Sequence, residues 1–224
     1  MFNDLSASDY RCSNTFYIAE FENILSKIVK CYQLLIEDNL CVANNENLIR
    51  DILLIKYLKN NSVRKKIGLI DYLFDREVPE DFGIGRTDIK IQTINTFIDT
   101  AAYYTLECKR LDSKNLYGTT GLNAKYIENG IYRFVSKTYS SHYKINGMIA
   151  FIVENIDVEE NIGYINNLLK STFLNANTTK ELHCKTIVNN FNYCYCSCHH
   201  GESNNDETII YHLMFDFSNN IMVN

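Results

Sequence analysis

Apolar residues recur at helical spacing across residues 15–37, through Phe16, Phe21, Ile24, Leu25, Ile28, Cys31, Leu34 and Leu35, which predicts an amphipathic helix. Ser13 or Asn14 is placed to cap it, and Asn39 stands near its end. A second helix is predicted over 45–60, with Leu48, Ile52, Ile55 and Leu58 on one side. Asn44 or Asn45 would cap that helix, and Glu46 would sit in its positive first turn. The period then changes. Residues 67–74 read as a strand, Pro79 to Gly83 as a turn, and 86–93 and 101–109 as the next two strands. Helical spacing returns over 123–135, followed by an apolar strand over 148–153 and an amphipathic helix over 158–173. Strands over 182–188, 193–199 and 208–217 close the chain, the last two joined as a hairpin through 201–206. This order predicts a mixed α/β (α+β) fold: a central mixed sheet flanked by helices, with an N-terminal helical pair and a C-terminal strand hairpin.

Composition narrows the picture. One proline, nine glycines and no Ser/Gly tract leave nowhere for a flexible spacer, so residues 1–224 read as one domain. Hydrophobic residues at 46% are enough for a sizeable core. No apolar run has the length of a membrane helix, and Asn3, Asp4 and Asp9 do not fit a signal peptide. The expectation is a cytoplasmic protein with no membrane partner. In a reducing compartment its eight cysteines are free thiols, and those lying singly among apolar residues (Cys31, Cys41, Cys108) act as small hydrophobes. The net charge of -5 excludes a wholesale basic clamp for nucleic acid but not a local basic patch.

The chemistry concentrates in Gly85-Arg86-Thr87-Asp88-Ile89-Lys90-Ile91 and Tyr103-Tyr104-Thr105-Leu106-Glu107-Cys108-Lys109-Arg110. On a strand, Glu107 and Lys109 project to one face while Leu106 and Cys108 face the other; Asp88 and Lys90 alternate in the same way with Ile89 and Ile91. If the two strands pair as a hairpin, Asp88 comes beside Glu107, and two carboxylates and an ammonium converge. Two adjacent acids repel unless a cation or a shared proton relieves them. Oxygen ligands of this kind suit Mg²⁺ or Mn²⁺, which acidify water and stabilise charge on a phosphate, while a lysine positions or deprotonates the nucleophile. The bland alternative is an ordinary cross-strand Lys–Glu or Lys–Asp pair on a surface strand.

The arrangement Asp88-x(18)-Glu107-x-Lys109 on consecutive strands, after helices and before a helix, resembles the PD-(D/E)XK nuclease superfamily over roughly residues 45–155. Thr87 stands where the nominal proline of the motif would be. The resemblance implies a restriction-endonuclease-like core and a Mg²⁺- or Mn²⁺-dependent endonuclease hydrolysing phosphodiester bonds, of DNA in the first instance. It implies a restriction or phage-defence setting in a bacterium, with a homodimer or a partner protein of a defence system. It also implies that Asp88, Glu107 and the backbone carbonyl of Cys108 bind the metal and that Lys109 serves catalysis. An early-helix acid completes such sites: Glu46 is the first choice, Asp51 the second, and Glu77, near the strand before Asp88, a further acid. From the helix after the Glu-x-Lys strand, Lys125, Tyr126 and Arg133 are the candidates for phosphate binding, although each fits a solvated helix face as well. The alternative reading is a nuclease-like domain that binds nucleic acid or a protein partner without cutting.

A second cluster, Cys194, Cys196, Cys198, His199 and His200, with His183, Cys184 and His212 nearby in sequence, raises the question of zinc. Cys-x-Cys-x-Cys on a strand lines its thiols along one face, unlike the turn-borne knuckles of zinc sites. The expectation is that these cysteines are core, with Tyr195, Ser197 and His199 facing outward.

Overall fold

A computed structural model of the chain describes residues 12–79, 86–136, 142–201 and 207–222. The predicted turn after Pro79 and the hairpin loop before Glu207 lie largely outside the described residues. Helix α1 (Cys12–Glu37) runs back through Ser13 and Asn14, so those residues belong to the helix rather than to its cap. It ends where Asn39 takes a left-handed backbone (φ 51°), a conformation asparagine tolerates at helix ends. Helix α2 (Glu46–Ile52) is capped as expected by Asn45, whose side chain accepts from the Leu48 amide, and it continues into a π-helical segment, Leu53–Leu58.

The strand expected over 67–74 is a correction. Helix α3 (Asn61–Ile67) occupies the preceding stretch, opened by the Asn60 side chain on the Ser62 and Val63 amides and closed by Gly68 at φ 74°. Strand β1 (Leu73–Pro79) begins only after the turn that follows. Strands β2 (Arg86–Gln92) and β3 (Tyr103–Leu111) come next, then a helical stretch of α4 (Leu122–Tyr126), a π turn (Ile127–Ile131) and α5 (Tyr132–Val135). Strand β4 (Ile145–Ile152), helix α6 (Val158–Ser171), and strands β5 (Thr178–Cys184), β6 (Cys194–His200) and β7 (Glu207–Asp216) complete the order. Strand β5 starts four residues earlier than the apolar pattern places it.

The seven strands form one mixed sheet in the order β1-β2-β3-β4-β7-β6-β5. The three central strands are parallel and the outer pairs antiparallel. On one face, α1 and the π segment after α2 pack Phe21, Ile24, Leu25, Leu53 and Leu54 against Ile89, Leu106, Cys108, Ile149 and Leu213. On the other, the α4–α5 stretch and α6 cover Met148, Ala150, Ile152, Ile210 and Met214. Burial on both faces explains why β4 reads as an unbroken apolar run rather than an alternating one. It also corrects the expectation for β6: Cys194 and Cys196 do lie in the first core, but Tyr195, Ser197 and His199 face the second core rather than solvent. Among the described residues, no helix is long and apolar enough to cross a membrane.

Candidate active site

The alternation expected of β2 and β3 places their polar residues on one face. The ladder pairs Ile89 with Leu106, and Asp88 follows as the next residue toward the site. Its Oδ2 accepts the Cys108 amide at 2.7 Å. The Cys108 thiol meanwhile lies in the opposite core, where burial first, and then the Asp88 and Glu107 charges, push its pKa well up. What Cys108 offers the site is backbone.

Glu107 is fully buried, and its Oε1 accepts both Lys109 Nζ at 2.5 Å and Arg133 Nη1 at 3.0 Å. The same ammonium donates to the Cys108 carbonyl at 2.8 Å and lies 3.5 Å from Glu46 Oε1 and 3.9 Å from Asp88 Oδ2. Burial works against this ammonium, but the Glu107, Glu46 and Asp88 carboxylates outweigh it and hold its pKa above the ordinary lysine value. The cation therefore relieves the repulsion that three converging acids would otherwise suffer.

Glu46 reaches the site because it opens α2. Its Oε2 accepts the Arg110 amide at 3.0 Å, and Arg110 Nη1 returns to the Asn44 carbonyl at 3.0 Å, so the start of α2 is clasped to β3. The two alternative acids lie elsewhere. Asp51 and Glu77 both bind Arg50, at 3.0 and 2.9 Å, and that guanidinium also holds Asp88 Oδ1 at 3.0 Å. Arg50 is only 2% exposed. Its own burial opposes the charge, yet its bonds to Glu77 and Asp51, with the Asp88 charge, raise its pKa further. Sequence reasoning missed this residue. The available signal was its position one helical turn after Glu46, which puts both side chains on one face.

The three phosphate-binding candidates separate. Lys125 and Arg133 line a cleft of about 500 Å³ with Glu46, Lys109 and Arg110. Tyr126 does not: it is fully buried, and its hydroxyl meets His212 Nδ1 at 2.8 Å beneath the helix. Gly130 lets the π turn that precedes Arg133 lie close to the sheet, since a Cβ there would overlap the Met148 methyl.

Oxygen donors from three carboxylates and one carbonyl match the chemistry of a small divalent cation. As the side chains stand, among the described residues no group of three or more His, Cys, Asp or Glu could hold a metal ion. At this site the Lys109 ammonium takes the point where the oxygens converge. In the cysteine cluster, Cys194 and Cys196 lie in the core opposite the face that carries Ser197 and His199, and burial pushes both thiols up to about 12. His199 and His212 spend their ring nitrogens inside the protein, both bonding Ser197 Oγ at 2.8 Å. Comparison of the chain with family models, with curated proteins and with solved structures finds no match.

Proposed function

We propose that the chain is a metal-dependent nuclease of the restriction-endonuclease-like kind, hydrolysing phosphodiester bonds in DNA. The observation that carries this reading is the ring of oxygens around Lys109 Nζ. The carboxylates of Glu46, Asp88 and Glu107 and the carbonyl of Cys108 all lie within 3.9 Å of Lys109 Nζ, and Glu46 and Lys109 line a cleft together with Arg110, Lys125 and Arg133. In this reading Asp88, Glu107 and the Cys108 carbonyl would hold Mg²⁺ or Mn²⁺ in place of the Lys109 ammonium, and the bound ion would stabilise charge on the phosphate.

The chain's own residues account for the rest. Arg110, Lys125 and Arg133 bind phosphate oxygens from the cleft wall, the arginines as planar forks and the lysine as a point charge. Lys109, whose ammonium the Glu107, Glu46 and Asp88 carboxylates favour in the metal-free protein, stands as a positive charge beside the scissile group. Glu46 is the most open of the acids, with a side chain 32% exposed against 18% for Asp88 and 0% for Glu107. It is therefore the one placed to take a proton as water attacks phosphorus and the bond to the leaving oxygen breaks.

One observation favours a second reading, a nuclease-like domain that binds nucleic acid or a protein partner without cutting. Both Asp88 oxygens are already engaged, by Arg50 and by the Cys108 amide. Incubation with plasmid DNA, single-stranded DNA and RNA, each with and without Mg²⁺ or Mn²⁺, separates the two. The nuclease reading expects cleavage that EDTA abolishes; binding without cleavage under every condition establishes the second.

A further inference from the structure

We infer that Arg50 is a positioning residue for this site: its guanidinium sets the Asp88 carboxylate and locks the start of α2, with Glu46, to the β1–β2 edge. Its functional meaning rests on the nuclease reading. Its geometry does not.

Arg50 departs from ordinary surface charge in three respects. It is almost wholly buried, and a buried guanidinium is tolerated only when its donors are matched. Its donors are matched by three acids from three elements: Nε and Nη2 to Asp51 Oδ1 at 3.1 and 3.0 Å, Nη2 to Glu77 at 2.9 Å, and Nη1 to Asp88 at 3.0 Å. Arg76 of β1 binds the other oxygen of Asp51, which fixes the anchor from behind. Glu77 holds a left-handed backbone (φ 49°) on an edge strand, a conformation uncommon for a residue with a long side chain. Local strain of this kind persists where surrounding contacts support it, and the Glu77 side chain meets Arg50 at 2.9 Å.

The consequence falls on Asp88. With Oδ1 held by Arg50 and Oδ2 by the Cys108 amide, the carboxylate is fixed at both ends, and its second oxygen is turned toward Lys109. Because Arg50 and Glu46 share a face of α2, the same anchor sets how far Glu46 stands from Lys109. A lysine at position 50 would keep the charge but lose the planar fork that spans three acids.

Full-length wild type, Arg50→Lys and Glu77→Gln decide the matter, the last being an exposed-site change that keeps the fold if the first does not. Without metal, the Cys108 amide proton, shifted downfield by its short bond to Asp88, should move upfield in Arg50→Lys and by less in Glu77→Gln. The Mn²⁺ concentration giving half-maximal thermal stabilisation should rise about 10–100-fold in Arg50→Lys, as when the partner of a metal-binding side chain is removed. Cleavage should lose kcat while KM for DNA holds. A Cys108 amide that stays in place in both variants overturns the inference, whether or not the wild type cuts DNA. A shifted amide in a protein indifferent to Mn²⁺ and to DNA upholds Arg50 and removes the nuclease reading instead.

Discussion

Lys109 Nζ lies 2.5 Å from the Glu107 carboxylate, two residues back along the same strand, and that carboxylate is closed to solvent. The pair turns what looks in sequence like a confrontation of acids into a neutralised cluster. Without metal, each acid of the site already has a cationic or amide partner.

The stability of the metal-free protein should therefore fall when an acid is neutralised. Asp88→Asn removes the charge from a bond to buried Arg50, and loss of about 1.5–3 kcal/mol is expected, the size of a hydrogen bond to a charged group. Two unrelieved carboxylates would give the opposite sign, with the variant gaining stability. Urea denaturation in EDTA reads the sign directly.

Tyr126→Phe should cost about 1–3 kcal/mol, because His212 Nδ1 would be left without a donor in a fully buried position. Nucleic-acid affinity should not change, since the hydroxyl lies under the helix and not in the cleft. A variant of unchanged stability with weakened binding would return Tyr126 to the phosphate site.

The same interior chain predicts acid lability. His199 Nδ1 bonds the Ala176 carbonyl and must carry the proton, so its Nε2 accepts from Ser197. Ser197 in turn accepts from His212 Nε2, and His212 Nδ1 accepts from Tyr126. Every proton has one place, and neither imidazole can gain another without breaking a bond. Burial depresses both pKa values, His199 to about 4 and His212 well below the ordinary value. A depressed histidine favours folding fully above its unfolded pKa near 6.5. That contribution is lost as pH falls from there toward the folded value, by about 1.4 kcal/mol per pH unit per histidine. Thermal midpoints from pH 7 to 4.5 should fall more steeply for wild type than for His212→Gln, and parallel curves would count against the assignment.

Much of this site was legible in sequence because period-two alternation on β2 and β3 is a local property. It places Asp88, Glu107 and Lys109 on one face whatever surrounds them, and the Asn45 cap placed Glu46. What escaped depended on distant parts of the chain. Helix α3 is seven residues long and offers only Val63 and Ile67 to the core, both partly buried, so its apolar signal is short; Asn60 and Gly68 mark its ends. Arg50 reads as a surface charge until β1 and β2 close over it. Tyr195, Ser197 and His199 read as outward residues until α6 and the α4–α5 stretch cover that face.

Binding should respond to salt despite the acidic composition. Lys125→Ala removes one cation from the cleft wall without touching the buried cluster. Affinity for DNA in Ca²⁺ should fall by a similar factor on every sequence, and the log–log salt slope should lessen by about 1. A salt-independent affinity would mean that the cleft does not meet phosphates.

The central claim is that Glu107, Asp88 and Lys109 act together on a phosphodiester, and plasmid cleavage in Mn²⁺ tests it most directly. Wild type should convert supercoiled DNA to cut forms, and Glu107→Gln, Asp88→Asn and Lys109→Ala should each lose at least about 100-fold in rate, the scale of removing one electrostatic contributor to a transition state. Their DNA binding should persist. Three variants that cut as fast as wild type, in a metal-dependent reaction, would contradict the account by placing the chemistry elsewhere in the molecule.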